Sequence, residues 1–126
     1  MLMGPTINSE AMKGRTKQFA LIVIRLCRTP PPSPETRIIS RQLLRSATSV
    51  GANYRAVRRA RSTADFTSKL GLVLEEADET LFWLGLLVDA GVARREQVAV
   101  PLDEANQLVS IFVASLRTMK GLRSAI

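Results

Sequence analysis

Apolar side chains return along this chain at the spacing of one helical face, and they do so in four separate stretches. In the first, Phe19, Ile22, Val23 and Leu26 fall at i, i+3, i+4 and i+7, and Ala20, Ile24 and Cys27 form a second stripe beside them. The spacing predicts a helix over about residues 8–28, apolar around most of its circumference and so covered on two sides, by its own bundle and by a neighbour. The run Arg28-Thr29-Pro30-Pro31-Pro32 cannot continue it and acts as a stiff connector.

Ser33 can cap the next helix, Pro34 suits its first position, where a missing N–H costs nothing, and Glu35 suits the positive end of its dipole. This second helix runs over about 34–60. At 100° per residue, Ile39, Leu43, Val50, Tyr54 and Val57 lie within about 60° of one another, and Arg37, Arg41, Arg45, Arg55 and Arg59 within about 80° on the opposite side. One face is core and the other is a rail of arginines. Ser62 or Thr63 opens a third helix over about 63–90, with Asp65 as the acidic member of a capping box and Gly91 as its stop. Its core stripe is Phe66, Leu70, Val73, Ala77, Leu81, Leu84 and Val88, and Glu75, Glu79, Phe82 and Leu86 form a second stripe on the reverse. Residues 92–100 read as a linker, and Pro101 opens a fourth helix over about 101–123. Asp103 and Glu104 sit in its first turn, Arg117, Lys120 and Arg123 near its end, and Ala105, Val109, Phe112, Leu116 and Met119 on its core side.

Four amphipathic helices joined by short connections predict an all-α, antiparallel up-down four-helix bundle, with residues 1–7 as a loose tail. The 126 residues suffice for a single domain spanning 1–126 and are too few for separate cofactor and substrate domains. A composition that is 46% hydrophobic but only 5% aromatic also favours helices over an aromatic-rich β-sandwich.

The charge is unevenly spread. Residues 1–69 hold 13 basic and 3 acidic side chains, residues 70–126 hold 5 basic and 8 acidic, and the whole carries a formal +7. Such asymmetry implies a basic face for polyanions, or two opposed faces that meet in an assembly, against the plainer reading of a basic surface with no ligand. Without histidine, imidazole metal sites and histidine-based triads are excluded, and with Cys27 alone no internal disulfide forms. Lys13-Gly14-Arg15-Thr16-Lys17 ahead of the apolar run Phe19 to Ile24 imitates a secretory signal, but Arg25 and Arg28 interrupt it and no small-residue cleavage site follows. The expectation is a cytoplasmic protein.

Gln42-Leu43-Leu44-Arg45-Ser46-Ala47-Thr48-Ser49-Val50-Gly51-Ala52-Asn53-Tyr54-Arg55-Ala56, then Ser62, Asp65-Phe66, Lys69-Leu70 and Glu75-Glu76-Ala77-Asp78-Glu79-Thr80-Leu81-Phe82-Trp83-Leu84, resembles the bacterial four-helix-bundle family related to proteins encoded in 23S rRNA intervening sequences. The match covers the second and third helices. The resemblance implies a four-helix protomer that assembles into a ring or barrel, commonly a pentamer. The same superfamily includes the accessory protein of diversity-generating retroelements, a basic barrel that works with a reverse transcriptase and nucleic acid. Relatives often carry a glutamate beside the Tyr-Arg pair, where this chain has Ala56 and Val57, and Arg58, Arg59 and Arg61 make the segment more basic.

Arginine stays charged, offers a forked set of donors and stacks on bases, so Arg37, Arg41, Arg55, Arg58, Arg59 and Arg61 are the candidate contacts to RNA or DNA. No base-reading motif accompanies them, and the alternative partner for the same surface is an acidic protein. Arg45, Asn53, Glu76 and Glu79 are candidates for a buried polar network that fixes helix register. Phe82, Trp83 and Leu86 are the candidate contact between subunits of a homo-oligomer, with scattered surface apolars as the plain alternative. Glu75, Glu76 and Glu79 as general acid and base, or as metal ligands, form a formal enzymatic competitor; diiron bundles use Glu-x-x-His motifs that this chain lacks. The expectation is therefore a non-enzymatic protein without cofactor or metal, in which Cys27 is a small buried hydrophobe and Gly51 permits close helix approach.

Overall fold

The computed structural model describes residues 9–125, with side chains as far as residue 121. The tail expected over 1–7 and the side chain of Arg123 lie outside the described residues. Four helices follow in order, α1 (Ser9–Cys27), α2 (Pro34–Val57), α3 (Thr63–Asp89) and α4 (Arg95–Ala125), with no strand among the described residues. None is long and apolar enough to cross a membrane.

The helix ends follow from local chemistry. Ser33, in extended conformation, accepts from the Thr36 N–H at 3.1 Å and places Pro34 at the start of α2, where no donor is needed. α2 stops at Val57, and the next residues tighten: Arg59 N–H donates to Ala56 O at 3.0 Å and Ala60 N–H to Val57 O at 3.1 Å. Ser62, rather than Thr63, caps α3, accepting from Asp65 N–H at 3.0 Å, and Asp65 in turn accepts from Arg61 N–H at 3.0 Å. Gly91 takes φ +73° beyond the end of α3. There Val92 N–H reaches Leu87 O at 2.9 Å and Gly91 N–H reaches Val88 O at 3.0 Å, the paired bonds of a glycine-terminated helix.

α4 departs from the sequence reading by beginning at Arg95 rather than Pro101, which lies inside the helix. Its start is fixed by Gln97, whose Oε1 accepts from Arg94 N–H at 2.8 Å while its own N–H donates to Arg94 O at 3.0 Å. Pro101 gives up one helical hydrogen bond. Val98, Pro101 and Ala105 are all buried at helical spacing, so apolar burial continues through the proline and offsets that loss.

α2 and α3 share the most extensive interface, followed by α3 with α4, α1 with α2, and last α1 with α4. Phe19, Leu43, Tyr54, Phe66 and Phe112 are fully buried at the centre, where the Tyr54 and Phe112 rings stack with centroids 6.2 Å apart. All five residues assigned to the core face of α2 are buried. On α4 the core turns slightly from the expected stripe: Leu108 and Ser115 are buried, and Val109 and Leu116 only partly. On α3, Thr80 and Leu87 are buried while Leu81 and Val88 are half-buried. At the α1–α2 contact, a Cβ built on Gly51 would lie 3.4 Å from Thr16 O, an ordinary contact, so the two backbones approach about as closely as an alanine would allow.

Candidate nucleic-acid interface

The arginines of α2 do share a side of the helix, but their surroundings divide them. Arg37 and Arg41 are exposed near its start, and Arg55 and Arg59 are exposed near its end. From Arg41 to Arg55 is 14 residues, or about 21 Å along a helix. The sole basic side chain between them on α2 is Arg45, which is already engaged.

Arg45 Nη1 lies 3.3 Å from Glu76 Oε1, and Arg45 Nη2 pairs with Glu79. Glu79 Oε2 also accepts from Trp83 Nε1 at 2.9 Å, and Gln42 Oε1 accepts from Arg45 Nε at 3.1 Å. Beneath this layer Thr80 Oγ1 donates to Ser46 Oγ at 2.9 Å, and Ser46 Oγ donates to Leu43 O at 3.2 Å, with both side chains fully buried. Arg45, Glu76 and Glu79 thus meet between α2 and α3, but at the surface rather than as the buried network expected of them, with 45% of the Arg45 side chain exposed. The buried part of that contact is the Ser46–Thr80 pair, which the sequence did not single out because short hydroxyl side chains satisfy their own helix carbonyls and sit in cores without a motif. Asn53 is not joined to it: two helical turns separate it from Arg45, and no hydrogen bond links them.

At the end of α2 the arrangement is different. Arg55, Arg59 and Arg61 border an open groove between α2 and the start of α3, floored by Ala52 and Ala56. The far side of the groove is Asp65 with Lys69, joined at 2.8 Å. Lys69 first, and then the Arg61 N–H, hold the Asp65 carboxyl below the usual carboxylate range. Arg55 also borders a second cleft, between α1 and α2, whose other cations are Lys13 and Lys17. Arg55, Arg59, Arg61, Lys13 and Lys17 are all exposed, and none pairs with a carboxylate among the described residues.

Arg58 does not belong with them. Its Nε donates to Ser9 Oγ at 2.8 Å and its Nη2 pairs with Glu10, so it fastens the end of α2 to the start of α1. The neighbouring Tyr54 phenol is pushed above its ordinary pKa by burial, against the smaller opposing effects of Ser9 and Arg58. A second clamp that no motif announces closes the α1–α4 seam: Arg15 binds Glu104 through two oxygens at 2.7 and 2.9 Å and Gln107 at 2.7 Å. In the sequence Lys13 and Lys17 read as the charged part of a false signal sequence. The signal that finds them is their i, i+4 spacing on the flank of α1 turned towards α2.

Phe82 is 59% exposed and meets Trp83 edge to face, with centroids 4.9 Å apart. Trp83 and Leu86 are half-buried against the core. Ile38 on α2 is 64% exposed, and Val100, at the α1–α4 edge beside Ile22, is 65% exposed. Cys27 is partly buried, and burial raises its thiol pKa. Among the described residues no three Cys, Asp or Glu side chains converge as a metal site requires.

A family model described as 23S rRNA-intervening sequence protein matches residues 11–114. The crystal structure of a protein of unknown function from the S23 ribosomal protein family of Bacteroides thetaiotaomicron VPI-5482 is similar at a TM-score of 0.77 and 31% identity, covering 88% of this chain and 99% of that one. No curated protein matches the chain.

Proposed function

The chain belongs to the 23S rRNA-intervening sequence protein family, and on that footing we propose that it is a non-enzymatic, homo-oligomeric bundle of the cytoplasm that binds RNA or DNA through the basic end of α2. The observation that carries the reading is the contrast in pairing: Arg45 is neutralised by Glu76 and Glu79, whereas Arg55, Arg59 and Arg61 surround an open groove with no carboxylate partner among the described residues. Unpaired guanidinium groups around a groove suit phosphate, which they can meet with two donors each. The absence of any base-reading motif makes the contact one of backbone charge rather than sequence. Engagement of Glu76 and Glu79 with Arg45, and of Glu79 with Trp83, supports a structural rather than catalytic use of those carboxylates.

The antiparallel up-down order is supported by the register of neighbours. Thr16 faces Gly51 while Ser9 meets Arg58, and Arg15 meets Gln107 while Ile22 lies beside Val100. The homo-oligomer is supported by exposed apolar residues on two different sides, Phe82 on α3 and Val100 at the α1–α4 edge, which a head-to-tail contact between copies would bury together. Five copies is the number that the family resemblance implies.

The test is the nucleic-acid content of the protein purified at low and at high salt, followed by titration of labelled single- and double-stranded RNA and DNA. Micromolar or tighter binding that weakens steeply with salt is the expected result. Absence of binding at low salt sinks the reading and gives the basic end to an acidic protein, which pull-downs then identify. Light scattering checks the assembly, and a monomer at micromolar concentration removes that part.

A further inference from the structure

We infer that the phosphodiester backbone crosses the bundle, from the α1–α2 cleft over Arg55 into the α2–α3 groove, instead of following α2 along its length. The inference rests on the nucleic-acid reading above and adds Lys13 and Lys17 to the contact surface. Arg55 borders both concavities and so joins Lys13 and Lys17 on one side to Arg59 and Arg61 on the other. Those five cations come from α1, α2 and the turn before α3, and all are exposed. Packed helices lie 8–10 Å apart, so a strip over three helices spans about 20 Å, the axial length of about six base pairs of duplex at ~3.4 Å each.

The alternative course, along α2, is broken. Between Arg41 and Arg55 it passes Thr48 and Ala52, both exposed and uncharged, and Arg45, whose charge is met by two carboxylates. A polyanion there would have to displace Glu76 and Glu79 or lie against them. The crossing strip has its own boundary at Asp65, which ties up Lys69 and adds a negative charge to the rim of the groove. The floor at Ala52 and Ala56 leaves room for a backbone to settle between the cations without meeting a bulky side chain.

The experiment is fluorescence anisotropy of short labelled RNA and DNA, each as single strand and duplex, over a range of salt, with helicity checked by circular dichroism. Lys13→Glu with Lys17→Glu is expected to weaken binding at least about tenfold and to lower the salt slope by about 1.4 for a single strand or about 1.8 for a duplex, two contacts' worth. The tightest of the four probes identifies the form bound. At about 0.15 M salt, Arg37→Glu with Arg41→Glu is expected to change affinity by less than about twofold, since those charges then lie beyond a Debye length from the strip. Asp65→Asn, which keeps an acceptor for the Arg61 N–H and releases Lys69, is expected to tighten binding several-fold. Equal losses from the two charge-reversal pairs, or an unchanged affinity for Asp65→Asn, overturn the crossing while leaving nucleic-acid binding intact. A wild-type protein that binds none of the four probes removes the underlying reading and the crossing with it.

Discussion

The middle and the end of α2 carry arginines on neighbouring flanks of one helix, yet they have different fates. In the middle, Arg45 faces Glu76 and Glu79 across the α2–α3 interface, and its charge is spent on holding two helices in register. At the end, Arg55 and Arg59 face a groove whose nearest carboxylate, Asp65, is occupied by Lys69 and by the Arg61 N–H. The side chains are identical, so the difference lies in what the neighbouring helix offers at that height. A charged residue is structural or available according to its partner across the interface, and composition alone cannot assign it.

The contrast is broken most directly by reversing charge at the end. Arg55→Glu with Arg59→Glu is expected to lower nucleic-acid affinity by about a hundredfold at low salt, with a melting temperature near that of the wild type, because neither side chain has a folded-state partner to lose. Anisotropy and thermal melting together check it; a large loss of stability with unchanged affinity would invert the two regions. In the middle the expectation is the reverse. Thr80→Val keeps shape but removes the hydroxyl bonded to Ser46, costing about 1 kcal/mol, or about 4 °C in melting temperature, and leaving affinity unchanged.

Converting the middle into a second basic end sharpens the comparison further. Glu76→Gln with Glu79→Gln frees Arg45, and is expected to raise affinity by a few-fold while costing no more than about 1 kcal/mol, since the pairs are at the surface. Calorimetric melting and low-salt titration read the two effects separately. The smallest effect concerns acid. The Asp65 carboxyl titrates below its unfolded value of about 3.9, so its contribution is present above that pH and is lost as pH falls through the lower folded-state value. Asp65→Asn is expected to flatten the acid limb of the stability profile, measured by denaturant midpoints at successive pH values.

Much of this was legible in the chain because burial follows period. Every residue placed on the core face of α2 is buried, and Ser33 and Gly91 mark helix ends by local chemistry alone. The start of α4 is hidden by a proline that reads as a helix opening, although apolar periodicity runs through it from Val98 to Ala105. The site was less legible, since its composition depends on which helices lie side by side. Arg58 reads with its sequence neighbours, but its partners Ser9 and Glu10 come from the start of α1, 49 and 48 residues earlier. The i, i+4 spacing of Lys13 and Lys17 points to a site only once α1 lies against α2 and their cleft meets Arg55. The position of Asn53 on the helix suggests a network, whereas the height of Glu76 and Glu79 on α3 selects Arg45.

The seam between α1 and α4 is the least extensive interface of the bundle, and Arg15 with Glu104 and Gln107 supplies its charged closure. Two of the five cations of the basic strip, Lys13 and Lys17, therefore ride on a helix held to α4 by that narrow seam. Amide protons of α1 should exchange ahead of those of α2 and α3, through an opening that leaves the rest of the bundle folded. Each such opening carries Lys13 and Lys17 away from Arg55, so a polyanion that bridges them acts as a splint, slowing exchange in α1 more than anywhere else.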